Sequence, residues 1–148
     1  MSEAHASPVT TTSTGNKSVR VIGIVVAVLG VIFLVAGIVT YAVVSSTLAD
    51  QQITVSDDAK WFAGKDVKGP FTAYAQAMVI GKHAKDIGGG KTYAELPQND
   101  PNRDTVMTAS FLQASLFTSV VAFGVAAMAT VLGLLLVLLG WALRRMAP

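Results

Sequence analysis

Two uninterrupted apolar stretches dominate the chain. Val21–Val44 runs for 24 residues without a charge, and Thr105–Leu143 for 39 more, mostly apolar from Leu116 onward. A helix rises 1.5 Å per residue, so about 20 residues cross a hydrocarbon layer about 30 Å thick. Each run is long enough to span, and the second is longer than one crossing needs. Its polar start (Thr105, Thr108, Ser110, Gln113) predicts one helix that begins above the bilayer and continues into it. A buried helix of a soluble protein is the competing explanation for an apolar run; two runs of this length in 148 residues argue against it.

Between the runs the period changes. Ile53–Val55 reads as a short extended piece, after which Ser56 or Asp57 is placed to cap a brief helix through Trp61 and Phe62. Gly69-Pro70 breaks the chain and suits a helix start. Phe71, Tyr74, Ala75, Met78 and Val79 then recur at i, i+3, i+4, i+7 and i+8, an amphipathic stripe that Gly88-Gly89-Gly90 ends. Thr92–Glu95 has capping-box spacing for a single turn before Pro97, and Asp100-Pro101 offers an N-cap and an N1 proline to the final helix.

The expected fold is an all-α membrane protein: a two-helix transmembrane hairpin with a small helical extracytoplasmic loop. Residues 1–16, rich in Ser, Thr and Ala, predict a disordered cytoplasmic tail. Residues 17–44 form the first transmembrane helix with its basic flank, and 45–104 the loop. Residues 105–143 make a long helix whose latter part is the second span, and 144–148 a short basic cytoplasmic tail. A signal peptide has an apolar region of only 7–15 residues, so Val21–Val44 predicts an uncleaved anchor despite the cleavage-like Thr47–Ala49.

Charge orients this hairpin. Lys17 and Arg20 precede the first span and Arg144 and Arg145 close the second, whereas the loop from Ser45 to Asp104 carries seven Lys/Arg against eight Asp/Glu. The positive-inside rule then places both termini in the cytoplasm of a plasma-membrane protein and the loop outside, with Trp141 and Tyr41 as interface anchors. Composition agrees: 52% of residues are apolar and 14% charged, where a soluble domain carries about 25% charged. A net charge of +2 without a basic cluster gives no reason to expect nucleic acid. The absence of cysteine excludes disulfides, zinc–thiolate sites and thiol nucleophiles.

Small residues in the spans fall on stripes. Gly23, Ala27, Gly30 and Gly37 mark the first; Ser115, Ser119, Ala122, Ala126, Ala129, Gly133 and Gly140 mark the second. In lipid, small side chains let backbones approach and gain dispersion contact, so these stripes predict helix packing within the hairpin or with a partner. Neither span contains Asp, Glu, Lys, Arg or His, the groups on which ion paths and proton relays depend.

Candidate chemistry is confined to the loop. His83, with Asp86 at i+3, is the one weak candidate for a metal ligand or general base. Lys82 and Lys85 disfavour a cation there, and His5 lies in the tail. Asp57-Asp58 and Asp100/Asp104 stand where helix caps are expected. Gly88–Lys91 lacks the spacing of a phosphate loop. No catalytic residue and no cofactor is expected. Trp61, Phe62, Phe71, Tyr74 and Met78 instead form an apolar set too large to leave in water, and predict a surface for a partner, the membrane or the last helix.

The segments "ITVSDDA", "GPFTAYAQAMVI", "GKTYAEL" and "TVMTASFLQASLFTSVVAFGVAAMATVLGLLLVLLGWALRR" are similar to an actinobacterial family of small two-span membrane proteins of uncharacterised function, over roughly residues 20–145. Members sometimes carry an "aromatic ring-opening dioxygenase" label, which would imply an iron site of His and carboxylate ligands. The expected function is that of a non-enzymatic accessory or scaffold protein, a small subunit of a larger respiratory or cell-envelope complex. Its partners would be membrane lipid and other membrane-protein subunits or further copies of itself. The alternatives are a membrane-bound metal-dependent enzyme and an extracytoplasmic ligand sensor.

Overall fold

The computed structural model of the protein describes residues 14–146, with side chains from residue 17. His5 and most of the expected tail lie outside the described residues; Thr14–Asn16 already belong to the first helix. The order is α1 (Thr14–Asp50), α2 (Pro70–Ile87), a 3-10 turn (Tyr93–Glu95) and α3 (Arg103–Met146). The protein is all-helical, and its two long helices are each long and apolar enough to cross a membrane. At 37 and 44 residues they extend about 55 and about 66 Å. Only 17% of the most apolar window of each is buried. The core helix of a soluble protein would be mostly covered, so these surfaces need lipid or other chains. An unbroken helix also bonds its interior amides within itself, the condition hydrocarbon imposes on a backbone.

The described residues divide into two compact units, one of residues up to Leu34 and from Val131, the other Val35–Thr130. In the first, α1 and α3 run antiparallel: Gly23 lies beside Gly140, and Gly30 beside Gly133. A Cβ on Gly30 would stand 2.6 Å from the Val137 nitrogen and 2.8 Å from the Gly133 oxygen, closer than side-chain carbon tolerates. Here backbone packs on backbone. The Arg145 guanidinium lies 4.6 Å from the centroid of the Trp141 ring.

In the second unit α1 and α3 are also antiparallel. Gly37 abuts Ala126 and Thr130, and the Tyr41 and Phe123 rings lie 4.8 Å apart. α2 packs on them through alanine. Ala73 and Ala77 are fully covered, in a cluster with Leu48, Val55, Val67, Leu116 and Phe123. A second cluster joins Ala84, Leu96 and Val106 beneath Tyr93.

α2 begins at Pro70, with the Gly69 N–H donating to Thr72 Oγ1 at 3.2 Å. It ends where the glycines stand: the Gly88 N–H returns to the Ala84 carbonyl and the Gly90 N–H to that of Lys85. Gly89 and Gly90 have φ of +62° and +86°, where a Cβ would be strained. The turn at Tyr93–Glu95 has its capping box, Glu95 Oε2 accepting from the Thr92 N–H at 2.8 Å and its hydroxyl at 2.7 Å.

Two local expectations are corrected. No helix forms through Trp61 and Phe62. Residues 53–67 instead fold back in a hairpin-like loop, with N–H donations from Val55 to Lys65, Gly64 to Val55 and Val67 to Ile53, and a bridge between Thr54 and Asp66. Burying both Val55 and Val67 in one cluster requires this pairing, which a helix cannot supply. The final helix starts at Arg103, because Asp100 turns the chain first: its Oδ1 accepts from the Asn102 N–H at 2.8 Å.

Candidate functional site

α2 sets the character of the loop's outer surface. Ala73, Ala75, Ala77 and Ala84 pack inward with Gln76 and Val79, small side chains fitting closest to the helices beneath, and the bulkier Phe71, Tyr74 and Met78 turn outward. Phe71 is 74% exposed, and Trp61, Phe62, Tyr74 and Met78 are exposed as well. Tyr74 is also held edge-on to Phe117, ring centroids 5.9 Å apart. Trp61, Tyr74 and Met78 frame a hollow of about 450 Å³ that Asp58 and Lys82 also line.

A small ion cluster stands beside that hollow. His83 Nε2 lies 2.8 Å and Lys82 Nζ 3.5 Å from Asp58 Oδ2. The hydrogen bond with His83 is the largest cause holding the Asp58 carboxyl below the usual carboxylate range; partial desolvation opposes it, and Lys82 adds to the lowering. Asp58 is thus a carboxylate at neutral pH. The histidine's partner comes from 25 residues earlier in the chain, not from Asp86 one turn along its own helix.

Among the described residues no group of three or more His, Asp or Glu converges as a metal site would require. One histidine and one carboxylate do not fit the iron centre that a ring-opening dioxygenase would need. Gly88–Lys91 serves as a helix terminator, and Glu95 caps its own turn.

The small residues of the spans are brought into two sets of contacts. Gly23, Ala27, Gly30, Gly133 and Gly140 lie together in the first unit, and Gly37 meets Ala126 in the second. Ala129 is half-buried. Ser115, Ser119 and Ala122 line a larger groove of about 620 Å³ with Val43, Val44 and Leu48.

Two residues that matter here, Arg103 and Gln76, were not singled out from sequence, and Asp58, expected with Asp57 at a helix cap, is instead His83's partner. Arg103 donates to the Tyr93 carbonyl at 3.2 Å and to the Leu96 carbonyl, and lies 4.3 Å over the Tyr93 ring. Gln76 is the one buried polar side chain among the described residues; its Oε1 accepts from the Ser56 N–H at 2.9 Å and from the Ser56 hydroxyl at 3.3 Å. A glutamine flanked by alanines on the inward face of α2 was the available signal. No protein family, curated protein or solved structure matches the chain.

Proposed function

We propose that the protein is a non-enzymatic accessory or scaffold subunit of the plasma membrane, with α1 and α3 embedded and the segment between them presented to a neighbouring membrane protein. Both termini face the cytoplasm and the loop lies outside, as the basic residues at 17, 20, 144 and 145 favour. The observation that carries this reading is the aromatic face. Trp61 is 66% exposed beside the hollow it shares with Tyr74 and Met78, while α2 is already anchored through its other side. Aromatic and methionine side chains around a hollow are the usual anchors of a protein interface. Asp58 and Lys82 supply charge at its rim.

Purification from membranes in mild detergent, with a photo-crosslinker at Trp61, tests the reading. A defined partner or a second copy captured at Trp61, but not from a site such as Lys91, supports it. A monomer with no crosslinked species refutes the scaffold role. Orientation is tested separately with Lys82→Cys, the chain having no cysteine of its own: an impermeant maleimide should label it on intact cells.

The pairing of Asp58 with His83 beside a hollow of about 450 Å³ favours one second reading, a sensor of a small extracytoplasmic ligand. That reading requires protease protection of the loop by a ligand in the absence of any partner.

A further inference from the structure

The groove of about 620 Å³ has a polar end and an apolar end. Gln51 and Gln76 mark the first; Val43 and Val44 on α1 and Ala122 on α3 mark the second. It follows α3 from Leu112 to Ala122, about 15 Å at helical rise. Its apolar end lies on residues of the apolar runs themselves, and its polar end on the residues just above them. An occupant is therefore apolar below and a hydrogen-bond acceptor above.

Gln76 supplies the specific signal. The side chain is only 8% exposed, and its amide orientation is fixed because Ser56 N–H, a donor, must face the oxygen. The Nε2 amino group therefore points away from Ser56, and no acceptor among the described residues meets it. Gln76 lines the groove, and no polar side-chain atom among the described residues is both sealed from the surface and unbonded. The Nε2 donors thus open onto the groove. A donor in such a place is stabilised by an acceptor that the occupant brings. Thr47, Thr118 and Ser119 donate their hydroxyl hydrogens to carbonyls of their own helices, and Gln51 and Ser115 are exposed, so Gln76 is the most buried donor that lines the site. No charged side chain lines the groove, so it does not select a phosphate.

We propose that this groove binds a membrane glycerolipid, its acyl chain running down past Val44 and Ala122 and an ester carbonyl accepting from Gln76 Nε2. The site lies in the leaflet on the side of the loop. The proposal rests on the membrane reading above, though not on the scaffold role.

Full-length protein in nanodiscs of dioleoyl phosphatidylcholine, of its diether analogue or of dioleoyl phosphatidylglycerol, released into native mass spectrometry, tests it. Wild type should retain one ester lipid irrespective of headgroup, and about five- to tenfold less of the diether lipid, which lacks the carbonyl. Gln76→Glu keeps the acceptor for Ser56 and removes the amino group. At pH 8, where the carboxyl is ionised and has no hydrogen to donate, it should keep a cooperative melting transition at a lower midpoint and lose retention by at least the same factor. Ser115→Trp, at an exposed position in the groove wall, should block the acyl chain and abolish retention. Equal retention of ester and ether lipids, adducts unchanged in both variants, or retention of phosphatidylglycerol alone each overturns the proposal. Wild type that enters the nanodisc but carries no lipid overturns it while leaving the membrane reading intact; wild type that stays in the aqueous phase overturns both.

Discussion

Gly30 is the most direct place to perturb the contact between α1 and α3. A methyl group there would lie 2.6 Å from the Val137 nitrogen, 2.8 Å from the Gly133 oxygen and 2.9 Å from Leu136 Cβ. Two of these three are backbone atoms, which cannot rotate away. Restoring ordinary 3.4 Å contact requires the helices to part by about 0.8 Å at this level. A gap of 0.5–1 Å forfeits roughly a quarter to a half of each dispersion contact, and overpacking in a close-fitted site costs about 1–3 kcal/mol. The gain in helix propensity from Gly to Ala, up to about 1 kcal/mol, opposes this without cancelling the upper range. Gly124, also on α3, is the internal control, because a Cβ there meets nothing within 4 Å. Titration of the detergent-solubilised protein with SDS, followed by Trp141 fluorescence in a Trp61→Phe background, should place Gly30→Ala about 1–3 kcal/mol below Gly124→Ala, the propensity gain being common to both. Gly30→Leu should fall further. If Gly30→Ala and Gly124→Ala shift the midpoint equally, backbone proximity is not what holds these helices together.

The remaining expectations concern the loop. Ala77→Leu should destabilise the loop by about 1–3 kcal/mol, because the methyl it replaces is fully covered, while Met78→Leu on the exposed face should be close to neutral; thermal melts of the two distinguish them. Arg103→Met should release the Tyr93–Glu95 turn, at about 1–3 kcal/mol, by removing a charged donor from two carbonyls; faster amide exchange over residues 92–97 is the readout. The Glu95 carboxyl is held below its ordinary range, first by the Thr92 N–H and then by the Thr92 hydroxyl. Its stabilising contribution is therefore complete above the unfolded-chain value and is lost as pH falls through the lowered one, so the Thr92 amide should stay protected through the usual glutamate titration and exchange freely only below it. Asp58 follows the same sign, and His83 should part from it on the same acid side.

Much of the fold could be read along the chain because its causes are local. Runs without charge fix the two long helices, since in hydrocarbon a helix is the arrangement that pairs every amide within one segment. Pro70 and the glycines at 88–90 fix the ends of α2 for equally local reasons, a preset φ at one end and positive φ at the other. Thr92 and Glu95 meet across three residues, which spacing alone can announce.

What tertiary structure decided is which face of each element turns inward and which distant groups meet. Residues 53–67 pair as a hairpin-like loop because Val55 and Val67 share one cluster, a demand that no local propensity encodes. The periodicity of α2 marked Phe71, Tyr74, Ala75, Met78 and Val79 as one stripe, yet Ala75 and Val79 are buried with Ala73, Gln76 and Ala77 while the aromatic residues and Met78 are exposed, because small side chains fit closest to α1 and α3. Asp58 reaches His83, and Ser56 reaches Gln76, across 25 and 20 residues. Contacts of that span depend on how the chain is brought back upon itself, so composition and period fix the helices, and the packing of small residues fixes everything that the loop presents.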